Sequence, residues 1–165
     1  MKKKKFTKIR ENITEVEYQK LLTYLNGKED LTTNTKNNLR RTFILLYFTG
    51  MRVNEVKQLK VKDINTIFEK EELIIVTHKT RKERKLFFSK EAIKQIKKHF
   101  VFNDNSKDED FIITTKGNPL KTPNSSTFIA KVNSFIQEVL GHRYSSHSFR
   151  AGIITDMSKS INPKF

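Results

Sequence analysis

Phe43-Ile44-Leu45-Leu46-Tyr47-Phe48-Thr49-Gly50-Met51-Arg52-Val53-Asn54-Glu55 is the stretch on which the fold turns. Its first six residues are apolar or aromatic on every side, so the helix they end must lie inside a core. Gly50 then lets the chain turn. Val53, Val56 and Leu59 give a short helix after it. Arg52 therefore stands at a helix start, where unpaired backbone N–H groups favour an anion. Glu55 lies three residues on, on the same face, and is expected to hold the Arg52 guanidinium. Taken alone, such a pair is an ordinary surface feature.

Upstream, Thr14-Glu15-Val16-Glu17 forms a capping box, followed by Tyr18, Leu21, Leu22 and Leu25 at helical spacing up to Gly27. The central helix is expected to begin near Thr33–Thr35. Downstream the period changes. Leu73-Ile74-Ile75-Val76-Thr77 and Lys85-Leu86-Phe87-Phe88 read as strands, joined by the charged turn His78-Lys79-Thr80-Arg81-Lys82-Glu83-Arg84. Val61 to Ile67 is expected to supply a further strand. Ser89 caps a helix with Ala92, Ile93, Ile96 and Phe100 inward. Asn103–Asp110 is a polar loop, Phe111-Ile112-Ile113 a short strand, and Lys116-Gly117-Asn118-Pro119 a turn. Ser125 or Ser126 is expected to cap the helix whose apolar stripe runs from Phe128 to Leu140, ended by Gly141. A final helix turns Phe149, Ile153, Ile154 and Met157 to one side and stops at Asn162-Pro163. The expected class is α+β, mostly α-helical with a small three-stranded antiparallel sheet. One domain covers 10–165, behind a solvated basic tail at 1–9.

Composition narrows the function. The 165 residues hold 33 Lys+Arg against 18 Asp+Glu, a net charge of +15. That surplus makes a polyanion the expected partner. The absence of cysteine rules out disulfides and thiolate–zinc sites. His78, His99, His142 and His147 lack a metal-binding spacing, so neither metal nor cofactor is expected. No segment approaches the ~20 apolar residues of a membrane span. The Lys2–Lys5 run has no apolar stretch behind it, so no signal peptide is expected.

His147-Ser148-Phe149-Arg150 completes the pattern. The first and last of these residues lie one helical turn apart and point the same way. Ser145 or Ser146 would cap their helix. An arginine is a planar fork that binds two phosphate oxygens and keeps its charge near neutral pH. A histidine carries or hands over a proton in the same range. An isolated His-x-x-Arg is most often a surface accident. Its order here, after Gly-Met-Arg-x-x-Glu and a basic β-turn, is not.

This combination resembles the catalytic domain of the tyrosine recombinases, the phage-integrase family, from about Arg10 to the end. "TKIRENITEVEYQKLL" is similar to that domain's opening. "FTGMRVNEVKQLKVKDI" is similar to its first-arginine box, and "HSFRAGIITDM" to its His-x-x-Arg box. The resemblance implies that Arg52 and Arg150 clamp a scissile phosphate. It implies that Lys79 protonates the leaving 5′ oxygen and that His147 serves in general acid–base work. In the family a tyrosine attacks, forming a 3′-phosphotyrosine that another strand's 5′-OH resolves. Fixed cations aimed at the crowded phosphorus stabilise its charge, and covalent capture conserves the bond for rejoining. Arg81, Lys82, Arg84 and Lys85 are expected on the phosphate backbone. Lys82 and Lys85 compete with Lys79 for its role, and Lys79 is favoured because it ends the strand before the turn.

The implied partners are duplex DNA and, in a longer protein, other recombinase protomers. The implied location is the cytoplasm or an organelle interior, with DNA. The family's Gly-His box and tyrosine would fall past Phe165, so no nucleophile is expected in this chain. Tyr144 lies before His147, and Tyr18, Tyr24 and Tyr47 fall in apolar helical patterns and are expected in the core. Three explanations stay open: a fragment of a full recombinase, a DNA-binding remnant or regulator without catalysis, or a tyrosine supplied by another chain.

Overall fold

The computed structural model describes residues 11–77 and 80–149. The basic tail, Lys79, Arg150 and the helix expected beyond Phe149 lie outside the described residues. Among the described residues the elements follow in the order α1 (Glu15–Gly27), α2 (Thr33–Thr49), α3 (Val53–Lys57), α4 (Val61–Lys70), β1 (Glu72–Val76), β2 (Glu83–Phe87), α5 (Lys90–His99) and α6 (Ser125–Leu140), and 147–149 are helical as well.

Helix α2 is the axis. Phe43, Ile44, Leu45 and Leu46 are fully buried, and α1, α3 and α5 pack around them. Each such side chain contributes about 1.5–3 kcal/mol on leaving water. The N-terminal half of α2 is polar and clasps a distant segment. Asn38 and Thr114 exchange bonds, Asn38 Nδ2 donating to the Thr114 carbonyl at 2.8 Å and the Thr114 N–H to Asn38 Oδ1 at 3.1 Å. Arg41 donates to the Ile112 carbonyl at 2.8 Å, between the Phe100 and Phe102 rings. Burial pushes its guanidinium pKa down.

The sheet departs from expectation. It has two strands, not three, with β1 antiparallel to β2. Val61–Ile67 is helical, as part of α4. Val61, Ile64 and Ile67 are its buried residues, a spacing that fits one side of a helix and not the alternation of a strand. The Asp63 carboxylate accepts from the Lys60 N–H at 2.8 Å at its start. Phe111–Ile113 likewise forms no strand. Only Phe111 bridges, to Lys60. The consecutive Ile112 and Ile113 are both fully buried, which a two-sided strand alternation does not allow. Strand β2 begins at Glu83, so Arg84 belongs to the ladder, opposite Ile75.

Caps were partly legible. Glu17 accepts from the Thr14 N–H, and Ser89 accepts from the Ala92 N–H, both at 3.1 Å. Helix α6 is capped by Asn124, not by Ser125 or Ser126; its Oδ1 accepts from the Ser126 and Thr127 N–H groups. No helix among the described residues is long and apolar enough to cross a membrane.

Gly50 ends α2 at φ 68°, in the left-handed region, and its N–H bonds the Leu46 carbonyl at 2.9 Å. Gly50→Ala is expected to cost about 1–2 kcal/mol in urea unfolding, since any Cβ strains this conformation. Glu109 offers a pH test. Bonds from Lys60 and then Lys62, both at 2.7 Å, hold its carboxyl down to about 2. A depressed carboxyl pKa stabilises the fold above its ordinary value near 4.5 and loses that contribution as pH falls towards 2. A carboxyl-carbon NMR titration of Glu109 should therefore have its midpoint near 2, and Lys60→Ala with Lys62→Ala should return it towards 4.5.

Candidate functional site

Arg52 owes its position to the turn that precedes it. Thr49 Oγ1 donates back to the Leu45 carbonyl and accepts from the Met51 N–H at 3.1 Å. Met51 and Val53 are buried on either side, which turns the Arg52 side chain out to solvent. Arg52 is the N-cap residue of α3. Its N–H is satisfied by Glu55 Oε1 at 2.8 Å. A carboxylate at the third helical position reaches back to that N–H readily.

Glu55 was expected to grip the Arg52 guanidinium. Its side-chain bonds go instead to the Arg52 backbone and to Arg84 Nη2, at 3.0 Å. Arg84 in turn does not point outward with its neighbours. The ladder places it beside the buried Ile75 and Leu86 face, with a side chain 31% exposed against 8% for Glu55. Arg81, Lys82 and Lys85 are exposed, and Lys85 on the opposite face of β2 pairs with Glu72 at 3.5 Å.

His147 is held by three ties. The Ser146 N–H donates to Asn133 Oδ1 on α6 at 2.9 Å. The Ile13 N–H donates to the Ser148 carbonyl at 3.0 Å. Phe149 is fully buried and stacks on Phe43 of α2, with centroids 6.1 Å apart. The turn is closed by Ser145, whose Oγ accepts from the His147 N–H at 3.3 Å, while its own N–H bonds Ser148 Oγ at 3.0 Å. The result is an exposed His147 on a fixed base.

These two arms meet. Arg52 and His147 line one small cleft of about 110 Å³, together with Met51, Val53, Asn54, Ile129 and Ser146. A cation and an imidazole that line one cleft suit an oxyanion that gains or loses a proton. Sequence reasoning missed Asn54 and Asn133. Asn133 was visible as a polar residue inside the apolar stripe of α6, where Ser146 now needs it. Asn54 gave no signal; its Oδ1 is buried without a hydrogen-bond partner at the cleft wall.

None of the four tyrosines lines this cleft. Tyr18 is buried and stacks on Tyr47 with centroids 3.9 Å apart. Burial, and then Tyr47, pushes the Tyr18 phenol pKa up. Tyr24, expected in the core, is 43% exposed and lies edge-on to Phe135. It falls on the rim of the α1 stripe, where helical spacing alone cannot separate inside from outside. Tyr144 packs partly against the core, and burial followed by the Glu17 and Glu11 carboxylates raises its pKa.

Known proteins share this fold. The model of the phage integrase family matches residues 11–164. XerA recombinase superposes with a TM-score of 0.64 at 15% identity, over 90% of this chain and 51% of that one. XerH site-specific recombinase bound to difH gives 0.63 at 19%, over 92% and 44%. The Tn1549 transposon integrase in complex with a circular intermediate DNA gives 0.65 at 14%, over 96% and 56%. The chain thus spans about half the length of the structures it matches. At these identities they establish the fold, that of the tyrosine recombinases. None of the curated proteins matches this sequence. The family model covers nearly the whole chain, and on that basis the chain belongs to the phage integrase family.

Proposed function

We propose that this chain is the DNA-binding catalytic core of a site-specific tyrosine recombinase. It binds duplex DNA through its basic face and holds one backbone phosphate at the cleft between Arg52 and His147. The observation that carries the reading is that cleft, which joins two boxes about a hundred residues apart in sequence. Arg52 is the exposed fork for the phosphate oxygens, and His147 the neighbouring proton carrier. Arg150 and Lys79, outside the described residues, are assigned by the family pattern as second fork and proton donor to the leaving 5′ oxygen. The reaction is strand cleavage and rejoining through a 3′-phosphotyrosine, with the attacking tyrosine drawn from outside these 165 residues. The matched XerH structure holds its difH substrate, and a matched lambda integrase is a dimer bound to a core site. We extend both features to this chain, with duplex DNA and further protomers as partners.

A second reading, a DNA-binding regulator without catalysis, draws on the placement of all four tyrosines away from the cleft.

Binding to duplex DNA should weaken steeply with salt, by a slope of about 0.9 per phosphate neutralised. Arg52→Ala should lower that slope by about 1, as loss of one phosphate contact does. Its unfolding free energy should move by less than about 0.5 kcal/mol, because the side chain is exposed. Salt-insensitive binding rejects the nucleic-acid reading. On a nicked suicide substrate this chain should form no covalent adduct, and supplying a C-terminal segment bearing the tyrosine should restore one. An adduct mapped to Tyr144 overturns the nucleophile assignment, and cleavage that never appears favours the regulator.

A further inference from the structure

The Glu55–Arg84 pair joins two parts of the site that the sequence treats separately. Glu55 belongs to the arginine turn, and Arg84 to the hairpin whose exposed turn carries Thr80, Arg81 and Lys82. One carboxylate oxygen, Glu55 Oε1, accepts from the Arg52 N–H at 2.8 Å and from Arg84 Nη2 at 3.0 Å. The same atom thus fixes the residue that presents the Arg52 side chain and the strand that presents the turn.

The surroundings make the tie strong. The Glu55 side chain is 8% exposed, and Arg84 is its ion-pair partner. Arg84 Nε is buried without a partner, although the side chain as a whole is 31% exposed. Removing Arg84 leaves the Glu55 carboxylate as a poorly solvated charge, and removing Glu55 frees the strand from the Arg52 turn. The outer face of the hairpin supplies no alternative anchor, because Ile74, Val76 and Phe87 are all exposed there.

We propose that Glu55 and Arg84 are positioning residues, a brace that sets the β1–β2 hairpin against the Arg52 turn so that both reach one phosphodiester track. The proposal rests on the DNA-binding reading above. It also reverses the expectation for Arg84 from sequence, which grouped it with the backbone contacts. A brace and a contact differ in sign at Glu55. If Arg84 met phosphate directly, removing the Glu55 charge would free the cation and strengthen binding. If the pair is a brace, the same change weakens binding.

The test uses the full chain and a mixed-sequence duplex several helical turns long, well below the unfolding temperature. Glu55→Gln and Arg84→Gln should each lower affinity by about tenfold, roughly 1.4 kcal/mol. Their combination should be no worse than either alone, because both delete one tie. Amide exchange should quicken across Glu83–Phe87 in both variants while α2 keeps its protection. Tighter binding by Glu55→Gln, or unchanged exchange in β2, overturns the brace. If the unmodified chain fails to bind duplex DNA, the proposed function falls, and the exchange comparison still decides the brace.

Discussion

Burial of the second half of α2 is the constraint from which the rest follows. Four consecutive residues, Phe43 to Leu46, have no exposed surface, so neighbours must close on every side of one helix. Helix α1 supplies Tyr18, Leu21 and Leu25, α5 supplies Ala92, Ile93 and Ile96, and α6 supplies Phe128, Val132, Phe135 and Ile136. A helix sheathed this way is a rigid datum, because close-packed interiors resist small displacements. Both arms of the site are referred to it. Arg52 leaves its C-terminal end through Gly50, and His147 is tied to its flank by Phe149 on Phe43.

That arrangement explains how a strongly basic protein brings together residues that electrostatics would keep apart. Arg52 and the turn residues Arg81 and Lys82 are exposed, where water screens their repulsion. The cations drawn inward are handled separately. Arg84 is neutralised by Glu55. Arg41 donates through Nη1 to the Ile112 carbonyl and lies over two aromatic faces, while its Nε is buried without a partner. Each exposed polar group is held by buried chain neighbours: Met51 and Val53 beside Arg52, and Ser148 and Phe149 beside His147.

Much of this was legible before any coordinates. Helical spacing marked α1, α5 and α6, the run of six apolar residues marked α2 as central, and β-branched runs marked β1. Failures came where two periods fit one short stretch. Val61–Ile67, expected as a further strand of the sheet beside the hairpin, is helical, and its buried Val61, Ile64 and Ile67 fit one side of a helix. Phe111–Ile113 has strand composition, but its backbone bonds go to single residues, Leu59 and Pro119, and side chains of a distant helix hold it, through Arg41 to Ile112 and through Asn34 and Asn38 to Thr114. Propensity cannot see such partners, 71 to 80 residues away.

By itself the sequence determined the class of fold, the family and the identity of the two boxes, because these depend on residue type at local spacing. It also determined that Arg52 begins a helix after a left-handed turn, since only a glycine enters that turn without strain. Only the tertiary structure decided which charged groups face the cleft and which serve the frame. Glu55 sits three residues from Arg52 and twenty-nine from Arg84, and the nearer guanidinium seemed its natural partner. The ladder register overrules that proximity. Placing Leu73 against Leu86 buries the inner face of the hairpin, and the same pairing of β1 with β2 sets Arg84 beside Glu55. A poorly hydrated carboxylate then takes the cation that packing delivers to it, while Arg52 stays in water, open to an anionic ligand.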